Sequence, residues 1–367
     1  MKSHSSLPIK GEQGGGLLNL TLPTGWNQCT PEQLEQIIIA QQVAQGNPTA
    51  WKLECFLRLT GLTLLEPPDT SLPLEEQTIT VRVERLAVSE KRSWWHRLVS
   101  FFRRRVVIPL FRYNVIPTSW RRIVNYQLST INYKLYLWQI HYWIKESLVW
   151  LDSAPAIARF PYPTYKYKDR EFHAPRTHLS DWTWGQYRLA QDYMEYYFKV
   201  AAKIQSDITS SRNNDITAGR QQLAQARALV LATFYNGRIT YIDPDTHMAK
   251  TDWRYVSTQS QDNADAFLDF PEVRFQVVLL WWSSVMARLH RLYPKCFKTA
   301  EGDKKKKKRR PKTQDPLADY AKLTATLQHI TNFDSDRLEH EPHEVILQRL
   351  TQMITENEEM EKIRKKK

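Results

Sequence analysis

From Tyr187 through Ala190, Met194, Tyr197 and Ala201 to Ile204, an apolar side chain recurs every three or four residues. That is the period of one face of an α-helix; a strand, whose side chains alternate every two residues, cannot bury such a series on one side. Thr183 and Gln186 stand just before it at capping-box spacing. The same grammar recurs along the chain. Thr30-Pro31 with Gln33 opens a stripe of Leu34, Ile37, Ile38 and Val43, and a short helix over 49–59 runs to a stop at Gly61. A further helix spans 221–235, and Asp269 with Glu272 caps the most apolar one, 271–292. Only 11 of the 367 residues are glycine, too few for a glycine-rich or many-stranded β architecture. The clearest strand signal is 77–88, where Ile79, Val81 and Val83 alternate with Thr80, Arg82 and Glu84. The reading is a mostly α, multi-helical protein with a small β element near 78–88. A long polar loop over 236–266 has room for one short strand at 239–242.

Composition shifts divide the chain. Residues 1–20 read as a flexible leader: they lack the apolar run that precedes a cleavage site in a signal peptide. A small helical and β module covers 21–90, with a proline-rich loop at 64–74. From 91 to 145 there are eleven Lys or Arg and no acidic residue before Glu146; with its Trp and Phe residues, 91–150 reads as a basic, aromatic-rich helical region. A Pro- and Tyr-rich linker at 151–175 forms the main boundary. A helical domain at 176–298, a basic flexible linker at 299–316 and a helical region at 317–367 come after it. The longest uncharged apolar stretch, 275–287, is well short of the roughly 20 residues a bilayer demands, and Lys134, Lys145 and Glu146 interrupt the other candidate. Both read as buried helices, and the expected location is the cytoplasm. Three cysteines, Cys29, Cys55 and Cys296, cannot all pair, which fits a reducing compartment.

No arrangement of catalytic residues stands out. Gly14 to Gly16 have no strand before them, so they do not form a phosphate loop. His340-Glu341-Pro342-His343 places two imidazoles at i, i+3 across a proline, not the i, i+4 that sets both on one helix face; it reads as a polar turn at the start of a helix. Asp243-Pro244-Asp245 with His247 is ordinary turn chemistry, His173 and His178 belong to a loop, and Cys55 sits on an apolar helix face. The residues imply no metal site, cofactor or small-molecule substrate, and the reading leans away from an enzyme.

The formal charge is +13, concentrated in two places. Arg97, Arg103, Arg104, Arg105 and Arg121 alternate with Trp94, Trp95, Phe101 and Phe102; Lys304, Lys305, Lys306, Lys307, Lys308, Arg309 and Arg310 form a continuous run. Guanidiniums with interleaved aromatics suit phosphates and unpaired bases. They also suit a helix lying on anionic lipid, or an α-hairpin whose arginine stems cover its own core. Nucleic acid and a membrane surface therefore stand beside protein as partner classes. For protein capture by a helix face, the candidate residues are Tyr187, Met194 and Tyr197, or Ile346, Leu350 and Met353; each set also reads as an intramolecular core stripe.

The order of four segments carries a resemblance: LPTGWNQCTPEQLEQI at 22–37, CFLRLTGL at 55–62, HLSDWTWGQYRLAQDYMEYY at 178–197 and ALVLATFYNGR at 228–238. It resembles a group of Bacteroidota proteins carried on prophages and mobile elements. At greater distance it is similar to phage tail assembly chaperone-type proteins, which share an LSD-T-G-Y helix start and a later LA-LY helix. The resemblance implies a mostly helical protein that binds tape-measure or tail-tube subunits during assembly and brings no catalytic residues. The leading expectation is a non-enzymatic assembly or interaction protein of a phage tail, with a nucleic-acid-binding protein and a peripheral membrane protein as alternatives.

Overall fold

The structure is a computed structural model that describes residues 5–10, 17–66, 71–73, 76–83, 132–209, 216–242, 247–254, 261–297, 327–328 and 333–366. The chain divides into two compact units, Met1–Ala154 and Pro155–Lys367.

The first unit begins with an antiparallel pair, β1 (Ser5–Lys10) and β2 (Leu17–Leu22), so strand pairing reaches into the stretch read as a leader. Helix α1 (Pro31–Val43) starts as its sequence dictates. The Gln33 amide N–H donates to the Thr30 hydroxyl (3.3 Å), and the Gln33 side-chain oxygen accepts from the Thr30 N–H (2.9 Å). Leu34, Ile37 and Ile38 turn inward. Helix α2 (Pro48–Thr60) is capped by Asn47, whose Oδ1 accepts from the Thr49 and Ala50 amides, and it ends on Gly61 at φ 71°, a left-handed backbone that glycine adopts without strain.

The period-two stretch forms β4 (Thr78–Val83), the middle of a three-stranded antiparallel sheet, with Ile79 and Val81 buried. On one side lies β3 (Leu62–Glu66), at the edge of the region expected to be loop; on the other lies β5 (Asn132–Tyr136), in a region expected to be helical. Helix α3 (Leu137–Ser147) follows β5 directly, its first amide donating to the Gln77 carbonyl at 2.9 Å. Trp26 and Trp150 meet edge to face at 5.0 Å and close this core.

The second unit starts with a hairpin, β6 (Thr164–Tyr167) and β7 (Arg170–His173), so most of the stretch read as a linker is built into this body. Helix α4 (Trp184–Thr209) lies against α5 (Ile216–Phe234). The strands β8 (Asn236–Ile242) and β9 (Ala249–Arg254) complete an antiparallel sheet in the order β6-β7-β8-β9. Helix α6 (Glu272–Leu292) carries the buried Phe275, Trp281, Trp282 and Val285. The core is aromatic: Phe160 against Trp281 (4.6 Å between centroids), Trp182 against Phe234 (5.5 Å), and Phe267 against Tyr165 and Tyr235 (4.9 and 5.2 Å). Much of the heavy Trp, Tyr and Phe content is thus absorbed by packing. A short helix α7 (Ser335–His340) and the long α8 (His343–Lys366) complete the described chain.

The mostly helical reading holds. The short strand expected at 239–242 lies within β8, and the β content is otherwise larger than the element near 78–88, because β3, β5, β6, β7 and β9 pair with partners that local periodicity does not reveal.

Candidate interaction face

Helix α3, with the turn that continues it, has two apolar sides. Leu137, Ile140, Ile144 and Leu148 are buried in the first unit, and Trp143 stacks on Phe56 at 6.3 Å between centroids. On the opposite side Trp138, Tyr142 and Val149 are 47%, 59% and 61% exposed. With Lys145, also exposed, Trp138 and Tyr142 follow i, i+4, i+7, the spacing of one helical stripe, and Val149 stands in the tighter turn just beyond the helix. Tyr136, at the end of β5, places its ring 6.4 Å from that of Trp138 and extends the aromatic end.

Beside the stripe lies a shallow groove of about 260 Å³, lined by Pro48, Thr49, Lys52, His141, Ile144 and Lys145. Lys52 is engaged with Asp152 at 2.7 Å, so Lys145 supplies the cationic character nearest the aromatics. The face can therefore offer dispersion and ring stacking along one side and positive charge along the other. It offers no nucleophile–base pair. Among the described residues no group of three or more His, Cys, Asp or Glu is gathered as a metal would need.

The structure places the sequence-derived candidates elsewhere. Tyr187, Met194 and Tyr197 point into the second unit's core and are unavailable to a partner, which corrects their reading as a docking face. Tyr187 is 1% exposed, against the rings of Trp184, Trp282 and His343, and its hydroxyl accepts from the Gln191 amide at 2.7 Å. Burial pushes its pKa above the usual tyrosine value. Tyr197 meets Phe275 edge to face at 5.0 Å, and burial raises its hydroxyl to about 12. Ile346 is likewise buried, a second correction, while Leu350 and Met353 are half-buried. Arg97, Arg103, Arg104, Arg105, Arg121 and the run Lys304 to Arg310 lie outside the described residues.

The histidine and cysteine groups resolve into structural roles. His343 is buried with Nδ1 3.2 Å from the Trp182 carbonyl oxygen, and Pro342 forms a β-bridge with Thr183. Burial holds the His343 pKa below the ordinary histidine value. His173 ends β7 within 3.9 Å of Glu171. Asp243 and Asp245 lie outside the described residues. Cys55 is fully buried, and burial raises its thiol to about 12, far from the thiolate that reactivity requires.

Sequence reading missed Trp138, Tyr142 and Val149 as a set. The available signal was the i, i+4 spacing of Trp138 and Tyr142, but the whole of 91–150 was expected to be helical, and a helix with apolar residues on both sides does not announce which side is buried. Comparison of the chain with protein-family models, with curated proteins and with solved structures finds no match.

Proposed function

We propose that this protein is a non-enzymatic assembly or interaction protein that captures a helical segment of a protein partner, of the phage-tail assembly type that the motif order resembles. The observation that carries the reading is the stripe Trp138, Tyr142 and Lys145, presented to solvent by a helix whose other side is anchored in a core, with Val149 exposed in the turn that follows. Exposed aromatic residues in a row are uncommon on a surface with no partner, and Trp and Tyr dominate the energetics of protein interfaces. An amphipathic partner helix with apolar residues at the same spacing would fit, its acidic side meeting Lys145.

A photo-crosslinking amino acid at position 142, introduced in the native host, tests this. The expected product is one protein adduct that persists through nuclease and high salt and disappears when Trp138→Ser is added. A second reading, single-stranded nucleic acid, rests on the neighbouring cation Lys145, since aromatics with nearby positive charge also accept stacked bases and phosphates. Adducts that nuclease removes would favour it and retire the protein-partner reading.

A further inference from the structure

We propose that His343 is a proton-operated latch: uptake of a second ring proton releases the segment 333–366 from α4 and α6 while the rest of the second unit stays folded. The latch lies where the chain enters α8. His343 is 1% exposed, and the Trp182 carbonyl oxygen stands 3.2 Å from its backbone nitrogen and 3.2 Å from its Nδ1. Beside it the Trp184 amide donates to the Glu341 carbonyl at 2.8 Å, and Thr183 forms a β-bridge with Pro342. The imidazole thus sits within the seam that ties α7 and α8 to the start of α4.

The hydrogen-bond pattern makes that seam sensitive to protons. A carbonyl oxygen only accepts, so the proton of the neutral ring is on Nδ1 and the lone pair on Nε2. Nε2 is buried and has no hydrogen-bond partner. A second proton goes there, creating a full charge and a buried N–H without an acceptor. On the face of the ring stands Tyr187, 5.5 Å between centroids, kept neutral because burial raises its pKa. The charged groups bearing on His343 are Glu344 of its own helix, Arg288 of α6 and Asp181 ahead of α4. Glu344 is itself 3.7 Å from Arg288, so its charge is already offset. Burial outweighs these charges and holds the His343 pKa below 6.5. The acceptor that the closed seam lacks is water, which reaches Nε2 once the seam opens.

Release is local because the segment is lightly held. Its buried apolar residues are Phe333, Leu338, Ile346 and Leu347. From Gln348 onward no described side chain is buried. The helix is held there by polar contacts, Lys295 with Thr355 (2.8 Å) and Glu358 (3.0 Å), and Cys296 with Thr351 (3.2 Å). The aromatic contacts Phe160–Trp281, Tyr197–Phe275 and Tyr165–Phe267 join residues outside the segment and do not need it. Parts of a fold with few buried apolar contacts open at lower free energy than its core.

The sign follows from linkage. In the open segment the imidazole titrates near 6.5, and in the closed one it titrates lower. Closure is therefore complete above 6.5, and the open fraction grows by up to about tenfold per pH unit below it, until the closed-state value is reached. Hydrogen exchange of the full chain across this range is the test, read as protection factors so that the pH dependence of the exchange chemistry drops out. Amides of 335–355 should lose protection by up to about tenfold per pH unit below 6.5. Those of α5 and α6 should keep theirs, and His343→Phe should remove the difference. Because α8 and α5 are compared within the wild-type chain, the test stands even if the variant does not fold. Protection of 335–355 that is indifferent to pH, or is lost together with that of α5 and α6, would overturn the proposal. So would a loss that persists in folded His343→Phe.

Discussion

At the scale of single residues, His343 and Gln186 carry polar groups into an aromatic core, Gln186 with its side-chain amide paired and His343 with Nε2 buried and unpaired. The His343 ring lies 5.5 Å from that of Tyr187 and is held by the Trp182 carbonyl, with Arg288 and Glu344 among the charges that bear on it. Burial depresses its folded-state pKa, so the unfolded chain binds the proton more readily. Stability is therefore complete above the ordinary value of 6.5 and declines as pH falls below it towards the depressed folded value. His343→Phe should flatten the pH dependence of urea unfolding of the second unit below the ordinary histidine value of 6.5. Gln186 has a different story. Its amide N–H donates to the Thr183 hydroxyl at 3.3 Å, one half of the expected capping box, but its side-chain amide donates to the Thr233 carbonyl (2.9 Å) and Asn236 (3.0 Å). Gln186→Leu should cost about 1–3 kcal/mol in denaturant unfolding by leaving those acceptors unpaired. The sequence motif identified the right residue, but not the non-local acceptors 47 and 50 positions away that claim its side chain.

At the scale of elements, the contact between α4 and α7 depends on a missing side chain. A Cβ at Gly185 would meet the Glu339 carbonyl oxygen at 3.2 Å and its Cα at 3.3 Å, backbone atoms with little room to yield. The neighbouring Trp184 amide donates to the Glu341 carbonyl at 2.8 Å, so chain and helix are tied beside the close approach. Gly185→Leu should displace α7, seen as faster hydrogen exchange at 335–340 while α5 and α6 amides keep their protection. For α3 the expectation is the reverse. Trp138→Ser with Tyr142→Ser should leave the unfolding free energy within about 0.5 kcal/mol per substitution while abolishing the crosslinked adduct. Helices such as 31–43 and 184–209 were legible because caps and apolar spacing agree locally. The stretch 132–136 was not: it reads as helix by continuity with 137–147, and only pairing with β4 makes it a strand.

At the scale of the whole molecule, two cores imply two separable losses. Trp150→Ala should lower the stability of the first unit, and Trp281→Ala that of the second, each by about 3–5 kcal/mol. In calorimetry each substitution should shift its own transition and leave the other in place; a shift of both together would contradict two independent cores. The boundary shows why composition is an uneven guide. Prolines and tyrosines from 155 onward suggested a linker, yet Phe160, Tyr162 and Tyr165 are packed against Tyr235, Phe267 and Phe270. Within the first unit, Arg82 is paired with Asn132 across neighbouring strands. The two strands are neighbours in the sheet although 48 residues separate Val83 from Asn132 in sequence. Joining Arg82 to Asn132 through Asn-Gly, in place of 83–131, tests whether the sheet needs anything beyond its own strands: an unchanged unfolding transition of the first unit is the expected outcome. That shortened protein separates the aromatic face of α3 from the arginine-rich block in a single comparison of what each version still binds.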